Sequence, residues 1–194
     1  MKKVLLDCGA NQGQSYEWFM KNRDDSDEYE VHCFEPVQSF KHYNVFKNKN
    51  VTFHSDAIWV EDGTIDFYEK GGLSSTLYPN KIDNQGKGTR VIVSCIDFSK
   101  FIKDNFQLSD YIIVKMDIEG AEYNVIEQML GRGTFEYIDE FYVEFHGAKI
   151  KDLYPYFGDV QERTGFAAKH HLIQEIDKFD VKWDVYPYNN WGNF

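Results

Sequence analysis

The chain has 194 residues, 42% of them hydrophobic, and a formal net charge of −11 at pH 7. A chain of this length can build one sizeable core, so we expect a single domain over residues 1–194. The acidic balance argues against a nucleic-acid partner, because a protein that tracks a phosphate backbone needs a basic face. No stretch approaches the roughly 20 apolar residues of a membrane helix, which argues against a membrane partner.

The cysteines and the amino terminus indicate a cytoplasmic protein. Cys8, Cys33 and Cys95 lie in predicted strands and share no metal-ligand spacing, so we expect buried thiols in a reducing compartment. The first apolar run ends at Asp7 and is too short for a secretory signal peptide.

The first predicted unit is an apolar strand over residues 3–7, a glycine-bearing turn and a helix over about residues 14–22. Glycines let the backbone approach a ligand at a helix amino terminus. The spacing Gly-x-x-x-Gly is not the dinucleotide fingerprint, and the acid at the strand end would repel a pyrophosphate. It would suit a cation, such as the ammonium of an amino-acid-bearing cofactor. The residues expected to contact this cofactor are Asp7, Gly9, Ala10, Asn11, Gly13 and Ser15.

The next two predicted strands, over residues 30–34 and 51–54, each end in polar groups. Glu35 and Pro36 follow the first strand, and an acid at this place can accept both hydroxyls of a ribose. Asp56 and Ala57 follow the second strand and can offer a side-chain acceptor and a backbone donor to an adenine edge. Recognition of an ammonium, a ribose and an adenine together describes S-adenosylmethionine.

The remaining patterns complete one alternating α/β unit. Strands are predicted over residues 64–69, 90–96, 111–114 and 137–145, with a final antiparallel hairpin over residues 171–176 and 181–186. Helices are predicted over residues 38–46, 97–104, 124–130 and 149–164, the last kinked or split by Pro155 and Gly158. An acidic cap begins the helix at residue 97. Residues 70–89, rich in Gly, Ser and Asn, are predicted to be a long mobile loop.

The strongest functional signal is the segment KMDIEGAE, residues 115–122, which follows a buried strand and leads into a helix. It delivers three acids, one base and a glycine to the carboxyl edge of a sheet, where ligands of open α/β sheets bind. Burying so much charge without a function would be unfavourable. The segment is therefore either a site or a salt-bridged helix start.

Four motifs in order resemble the FkbM-type family of S-adenosylmethionine-dependent methyltransferases. They are DxGANxG from Asp7, FEP at residues 34–36, KxDxEGAE from Lys115, and VEFH at residues 143–146, and they cover roughly three quarters of the chain. The resemblance implies a Rossmann-like methyltransferase fold with helices on both faces of a seven-stranded sheet, mostly parallel with an antiparallel last strand. It also implies O-methylation of a hydroxyl on a sugar, a glycan or a similar polyhydroxylated metabolite.

An acceptor hydroxyl must lose its proton during the transfer, to a base or with the help of a metal. His146 ends a predicted strand, and an unperturbed pKa of about 6.5 suits a general base, although the ring could instead order the next turn. The resemblance implies that Asp117 contacts the methionine part of the cofactor or the acceptor. Asp117, Glu144 and His146 could also bind a divalent metal, which the sequence does not require.

Three further charges near this edge have two interpretations each. Lys115 either forms a buried ion pair with Asp117 or Glu144, or polarises the acceptor hydroxyl. Glu119 either takes part in catalysis or stabilises the start of the following helix through its dipole, and the helix role is favoured for Glu122.

The sequence says less about the acceptor pocket, the partners and the alternative functions. Residues 71–78, which are rich in Ser, could close over the acceptor or could form a plain glycine-rich hairpin connection. The aromatic tail at residues 186–194 could stack on a sugar or pack against the sheet or a second subunit. We expect a sugar or glycan substrate, and also consider a homodimer or an association with glycosyltransferases. A non-catalytic cofactor-binding module of a glycan-building complex is the alternative. A nicotinamide-dependent dehydrogenase is disfavoured by the glycine spacing and Asp7.

Overall fold

The computed structural model describes residues 1–70, 75–79, 81, 88–150 and 165–185. These residues form four α-helices and nine strands, with several short 3₁₀ turns. The helices are α1 (Gln14–Asn22), α2 (Phe98–Asn105), α3 (Glu122–Gly131) and α4 (Gly165–Ile176). The strands are β1 (Lys3–Cys8), β2 (Tyr29–Phe34), β3 (Val51–His54), β4 (Ala57–Trp59), β5 (Gly63–Glu69), β6 (Thr89–Asp97), β7 (Tyr111–Met116), β8 (Glu140–Val143) and β9 (Lys182–Val185).

The central sheet has the order β3-β2-β1-β7-β8-β9. Each neighbouring pair in it is parallel. The chain first moves outward from β1 to β3 and later from β7 to β9, so the strand order reverses between β1 and β7. In open parallel sheets such a reversal leaves a crevice at the carboxyl ends of the strands, and ligands bind there.

Both faces of this sheet are covered, as the sequence predicted. In β1, Val4 and Leu6 belong to a core cluster with residues of α2, α3 and α4, whereas Leu5 packs with residues of α1 on the other face. This alternation follows from the two-residue period of a strand, and burial on both faces explains the nearly continuous apolar runs of β1 and β7. The Rossmann-like α/β fold is therefore confirmed.

Two details of the predicted sheet are wrong. Within the described residues the central sheet has six strands rather than seven, and its last strand is parallel to its neighbour rather than antiparallel. Residues 171–176 lie in helix α4, because Ala168, Leu172 and Ile176 recur at helical spacing and all pack into the core. A helix between β8 and β9 returns the chain to the opposite end of the sheet, which makes the next strand parallel.

A second, three-stranded sheet has the order β4-β6-β5. The strands predicted over residues 64–69 and 90–96 are confirmed as β5 and β6, which pair with each other in antiparallel fashion. The short strand β4, which the sequence did not reveal, pairs in parallel with β6. Two of the predicted strands therefore extend the fold beside the central sheet instead of adding to it.

The predicted helix over residues 38–46 is wrong, because this segment forms two 3₁₀ turns, Gln38–His42 and Asn44–Lys47. Tyr43 interrupts them with an extended backbone, φ −62° and ψ 140°. The break lets Phe40 and Phe46 pack into the same core cluster, while Tyr43 stays 40% exposed. One continuous helix would point these two phenylalanines in different directions.

The other predicted elements differ mainly at their ends. The strand predicted over residues 137–145 is shortened to β8, because a 3₁₀ turn at Thr134–Tyr137 closes with a hydrogen bond from Ile138 N–H to the Phe135 carbonyl. The acidic cap of α2 is confirmed, since the Asp97 carboxylate accepts the Lys100 N–H at 3.0 Å. Most of the predicted helix at 149–164 and of the loop at 70–89, and the tail at 186–194, lie outside the described residues.

Within the described ranges, no helix combines the length and the apolar character that crossing a lipid bilayer requires.

A buried carboxylate fastens the amino-terminal edge of the central sheet, away from the crevice. Glu140, 2% exposed at the start of β8, accepts hydrogen bonds from Arg23 and Tyr111 on one oxygen and from Tyr142 and Lys182 on the other, at 2.5–2.9 Å. Burial alone would raise the pKa of Glu140, but these donors outweigh it and lower the pKa to about 2. The ionised carboxylate is therefore part of the folded structure.

Replacing this carboxylate should weaken the fold and change its acid sensitivity. We expect Glu140→Gln to lower the free energy of unfolding at pH 7 by about 1.5–3 kcal/mol, because hydrogen bonds to a charged group are lost. A folded-state pKa below the unfolded value gives stability that is present above about pH 4.5 and declines as the pH falls toward 2. Urea titrations at pH 7, 4 and 3 measure this decline. Glu136→Gln, at an exposed acid nearby, is the control, and equal acid sensitivity of both variants would contradict the assignment.

Candidate active site

A cavity of about 400 Å³ opens at the carboxyl ends of β1, β2, β7 and β8. Small-molecule sites enclose roughly 300–1,000 Å³, so the cavity has the size of such a site. It lies at the reversal of strand order. The predicted site residues that line it are Gly9, Ala10, Asn11, Ser15, Glu35, Pro36, Ala57, Lys115, Asp117, Glu119 and His146.

Three expected cofactor contacts, Asp7, Gly13 and Asp56, are not part of the lining that the described residues form. Asp7 is fully buried, where its carboxylate accepts the hydroxyl of Ser15 and lies 3.1 Å from Lys115 Nζ. Gly13 has a φ of 91°, and a Cβ there would collide with the side chain of Val45. Asp7 and Gly13 therefore make contacts inside the protein rather than at the surface of the cavity.

The turn after β1 is clamped between the neighbouring strands. Gly9 and Ala10 both donate their N–H groups to the Phe34 carbonyl of β2 at 3.0 Å. On the other side, Asp117 N–H donates to the Cys8 carbonyl at 3.0 Å. Gly9 has a φ of 79°, and a Cβ there would overlap the backbone carbonyl of Asp117. Glycine is required here because the two turns touch through their backbones.

Glu35 is held by the backbone at the end of β2. Its Oε2 accepts the Asn11 N–H and its Oε1 accepts the Val37 N–H, both at 2.9 Å, and the residue is 6% exposed. Burial raises the pKa of Glu35 to about 7, although the two N–H donors act in the opposite direction. A carboxylate oxygen can accept more than one hydrogen bond, so each oxygen can also accept from a ligand in the cavity.

Lys115 presents a buried ammonium between the turns of β1 and β7. Its Nζ donates to the Gly9 carbonyl at 2.8 Å and lies 3.1 Å from Asp7 and 3.9 Å from Asp117. Burial alone would lower the pKa of Lys115, but the charges of Asp7 and Asp117 outweigh it and raise the pKa. The geometry supports the ion-pair interpretation of Lys115, with Asp7 as its nearest acid.

Glu119 lies in a left-handed turn between β7 and α3, with a φ of 57°. Its carbonyl accepts the Thr76 hydroxyl at 2.6 Å, and its carboxylate forms an ion pair with the buried Lys81. Thr76 and Lys81, which follow β5 in the chain, therefore contact this turn and help to hold Glu119 against the cavity.

Four carboxylates surround the imidazole of His146, which is 2% exposed. Glu122 Oε1 lies 2.9 Å from Nδ1, and three further acids face Nε2: Glu144 at 3.3 Å, Glu119 at 3.4 Å and Asp117 at 3.8 Å. We call these five residues the His146 cluster. All of them except Glu122 line the cavity.

The charge state of His146 follows from this arrangement. Burial would lower the pKa of the ring, but the carboxylates of Glu122, Glu144 and Asp117, with Glu122 foremost, outweigh it and raise the pKa to about 10. The imidazole therefore carries both ring protons at neutral pH. A protonated ring cannot accept another proton, and this finding argues against the expected role of His146 as general base.

The pKa values of two acids of the cluster, Asp117 and Glu144, are shifted in opposite directions. Burial raises the pKa of Asp117, and the charge of Glu144 adds to this effect. The pKa of Glu144 is lowered, because contact with His146 outweighs the effect of burial. Asp117 is thus the better proton acceptor of these two carboxylates.

The structure brings together a different set of possible metal ligands from the expected Asp117, Glu144 and His146. Among the described residues, the ligand atoms that lie within 4.8 Å of one another belong to Asp117, Glu122 and His146, and Glu144 is not in this set. Glu122 also accepts hydrogen bonds from the N–H groups of Ile118 and Gly120. The donor types suit a divalent cation, but one of them is already bound within the protein.

Several lining residues were missed by the sequence analysis. Phe67 comes from β5, and Phe40 from a segment that was interpreted only as core. The apolar patterns of these two segments indicated that the side chains are buried, but not that a cavity lies beside them. Lys149 gave no signal at all. The missed residues are Gln14, Val37, Phe40, Phe67 and Lys149.

Comparison with known proteins agrees with the geometry. A family model described as methyltransferase FkbM domain matches residues 7–170, which include the turn after β1, Glu35 and the entire His146 cluster. No curated protein and no solved structure shows a significant match to the chain. Because the match covers most of the chain and all four motifs that suggested the resemblance, the chain belongs to the FkbM methyltransferase family.

Proposed function

We propose that this methyltransferase uses S-adenosylmethionine to methylate a hydroxyl of a sugar, a glycan or a similar polyhydroxylated metabolite. One observation carries the proposal: the turn after β1, the acid after β2 and the His146 cluster meet in one cavity at the reversal of strand order. The first two features suit a nucleoside with an amino-acid tail. The third offers several acceptors for the hydroxyl groups of a second substrate.

The chain offers suitable groups for each part of the cofactor. Glu35 would accept the ribose hydroxyls, and the backbone from Gly9 to Asn11 would approach the methionine part. The apolar side of the cavity, with Phe34, Ala57 and Ile58, would cover the adenine. When bound, S-adenosylmethionine supplies a methyl group that its sulfonium already activates. Asp7 would act indirectly, by holding Ser15 and Lys115.

The strand order separates the two halves of the site. Glu35 follows β2 and Asp117 follows β7, with β1 between these strands. Neighbouring strands are about 4.8 Å apart, so the ends of β2 and β7 are roughly 10 Å apart. We therefore place the ribose contacts at β2 and the acceptor hydroxyl beside Asp117 and the His146 cluster.

Asp117 is the proposed proton acceptor. It lines the cavity, its side chain is 20% exposed, and burial raises its pKa, which makes it a stronger base than an exposed aspartate. His146 and Lys115 stay protonated and hold the carboxylate in place from two sides. Glu119 and Glu144 offer further acceptors for the neighbouring hydroxyls of a sugar.

The function is tested by transfer of a labelled methyl group. We expect the protein to move label from S-adenosylmethionine to members of a panel of sugars and glycans, and the product to be a base-stable ether. The panel includes matched compounds whose free groups are amines or carboxylic acids. Label on those groups alone would contradict O-methylation. Binding of S-adenosylhomocysteine without transfer to any compound would favour the non-catalytic module.

The proton acceptor is tested by substitution. We expect Asp117→Asn to lower kcat by roughly 10²–10⁴-fold, because general base catalysis typically contributes this much. The affinity for S-adenosylhomocysteine, measured by calorimetry, should change little. The wild-type rate should fall on acidification, as Asp117 takes up a proton. Glu127→Gln, at an exposed acid of α3, serves as the matched control.

Two outcomes would move this role elsewhere. Near-normal turnover of Asp117→Asn together with a large loss in His146→Ala would return the base to His146. Activity that disappears after dialysis against a chelator and returns with Mg²⁺ or Mn²⁺ would assign proton removal to a bound metal. Full activity after chelation is the result that we expect.

A further inference from the structure

Glu122 contacts both the turn after β7 and His146, which follows β8, but it does not line the cavity. It is fully buried at the first position of α3. A single oxygen, Oε1, lies 3.0 Å from Ile118 N, 3.2 Å from Gly120 N and 2.9 Å from His146 Nδ1. One carboxylate oxygen therefore joins the turn after β7 to the ring that follows β8.

These contacts fix the orientation of the imidazole. An ionised carboxylate has no hydrogen to donate, so Oε1 is the acceptor in all three contacts, and His146 Nδ1 carries the hydrogen that faces it. The opposite nitrogen, Nε2, is then directed at Glu144, Glu119 and Asp117, which line the cavity. Glu122 thus determines which edge of the ring faces the acceptor side.

The same oxygen fixes the turn that carries Glu119. Ile118 and Gly120 flank Glu119, whose left-handed φ of 57° is uncommon for a residue with a side chain. Such a conformation persists where surrounding contacts hold it. By binding the N–H groups on both sides, Glu122 keeps the Glu119 carboxylate 3.4 Å from His146 Nε2.

We propose that Glu122 is a positioning residue, which sets the orientation of His146 and the placement of Glu119 for the acceptor hydroxyl. It does so without touching the cofactor or the acceptor. The role goes beyond the stabilisation of a helix start that the sequence suggested. The effect on turnover rests on the proposed methyl transfer, whereas the hydrogen bond to His146 can be measured without it.

Two substitutions separate positioning from simple packing. Glu122→Leu keeps the volume and removes the acceptor, and we expect kcat to fall on the order of 10²-fold with an unchanged KM for S-adenosylmethionine. Glu122→Gln keeps an acceptor oxygen and should recover most of this loss. Glu127→Gln on the exposed face of the same helix should behave like wild type.

The spectroscopic measurement is the hydrogen-bonded Nδ1 proton of His146 in NMR spectra of ¹⁵N-labelled protein, assigned by its absence in His146→Gln. We expect this signal in wild type and Glu122→Gln, and its loss in Glu122→Leu. Loss of the signal with a wild-type kcat would overturn the positioning role, as would an unchanged signal in Glu122→Leu. If that variant does not fold, Glu122→Asp, one methylene shorter, replaces it with the same expected loss. If wild type methylates no acceptor, the proposed function fails, while the signal still tests the contact.

Discussion

The site depends on the contacts of the buried Lys115 ammonium with the Gly9 carbonyl and with Asp7. The ammonium lies between β1 and β7, the two strands at which the sheet reverses its order. A buried charge is tolerated only when its partners compensate for the lost water. Lys115 therefore ties the turn proposed for the cofactor to the turn that carries the acids, and each turn is shaped by the presence of the other.

Much of this architecture could be predicted because parallel strands carry their turns to one edge. Once residues 3–7 and 111–114 are interpreted as buried parallel strands, the glycine turn and the segment KMDIEGAE must lie at the same edge, and the structure places them in contact. The position of Glu35 at this edge could be predicted in the same way, because it follows the parallel strand over residues 30–34. The prediction failed at residues 171–176, because a short apolar run fits a strand and a helix equally well. The helical spacing of Ala168, Leu172 and Ile176 decides between them only when the core is known.

The electrostatics of the site could not be predicted from strand ends. The high pKa of His146 depends on acids from two separate turns, and its closest partner is Glu122, which the sequence suggested only as a helix stabiliser. Asp7 was expected at the surface of the cavity, but its position one residue before the end of β1 turns it toward Ser15 and Lys115. The direction of a side chain, rather than its position in the sequence, decides whether a residue can contact a ligand or instead holds a ligand-contacting residue in place.

The most direct test of the account is the binding of S-adenosylhomocysteine by calorimetry at pH 8 and pH 6, in wild type and in Glu35→Gln. With the pKa of Glu35 near 7, acidification should protonate the carboxylate proposed to hold the ribose and weaken wild-type binding by roughly tenfold. Glu35→Gln should bind more weakly at pH 8, by about 1.5–3 kcal/mol, and lose this pH dependence. Equal affinity of the two proteins, with the same pH dependence in both, would contradict a cofactor site at the carboxyl edge of β2.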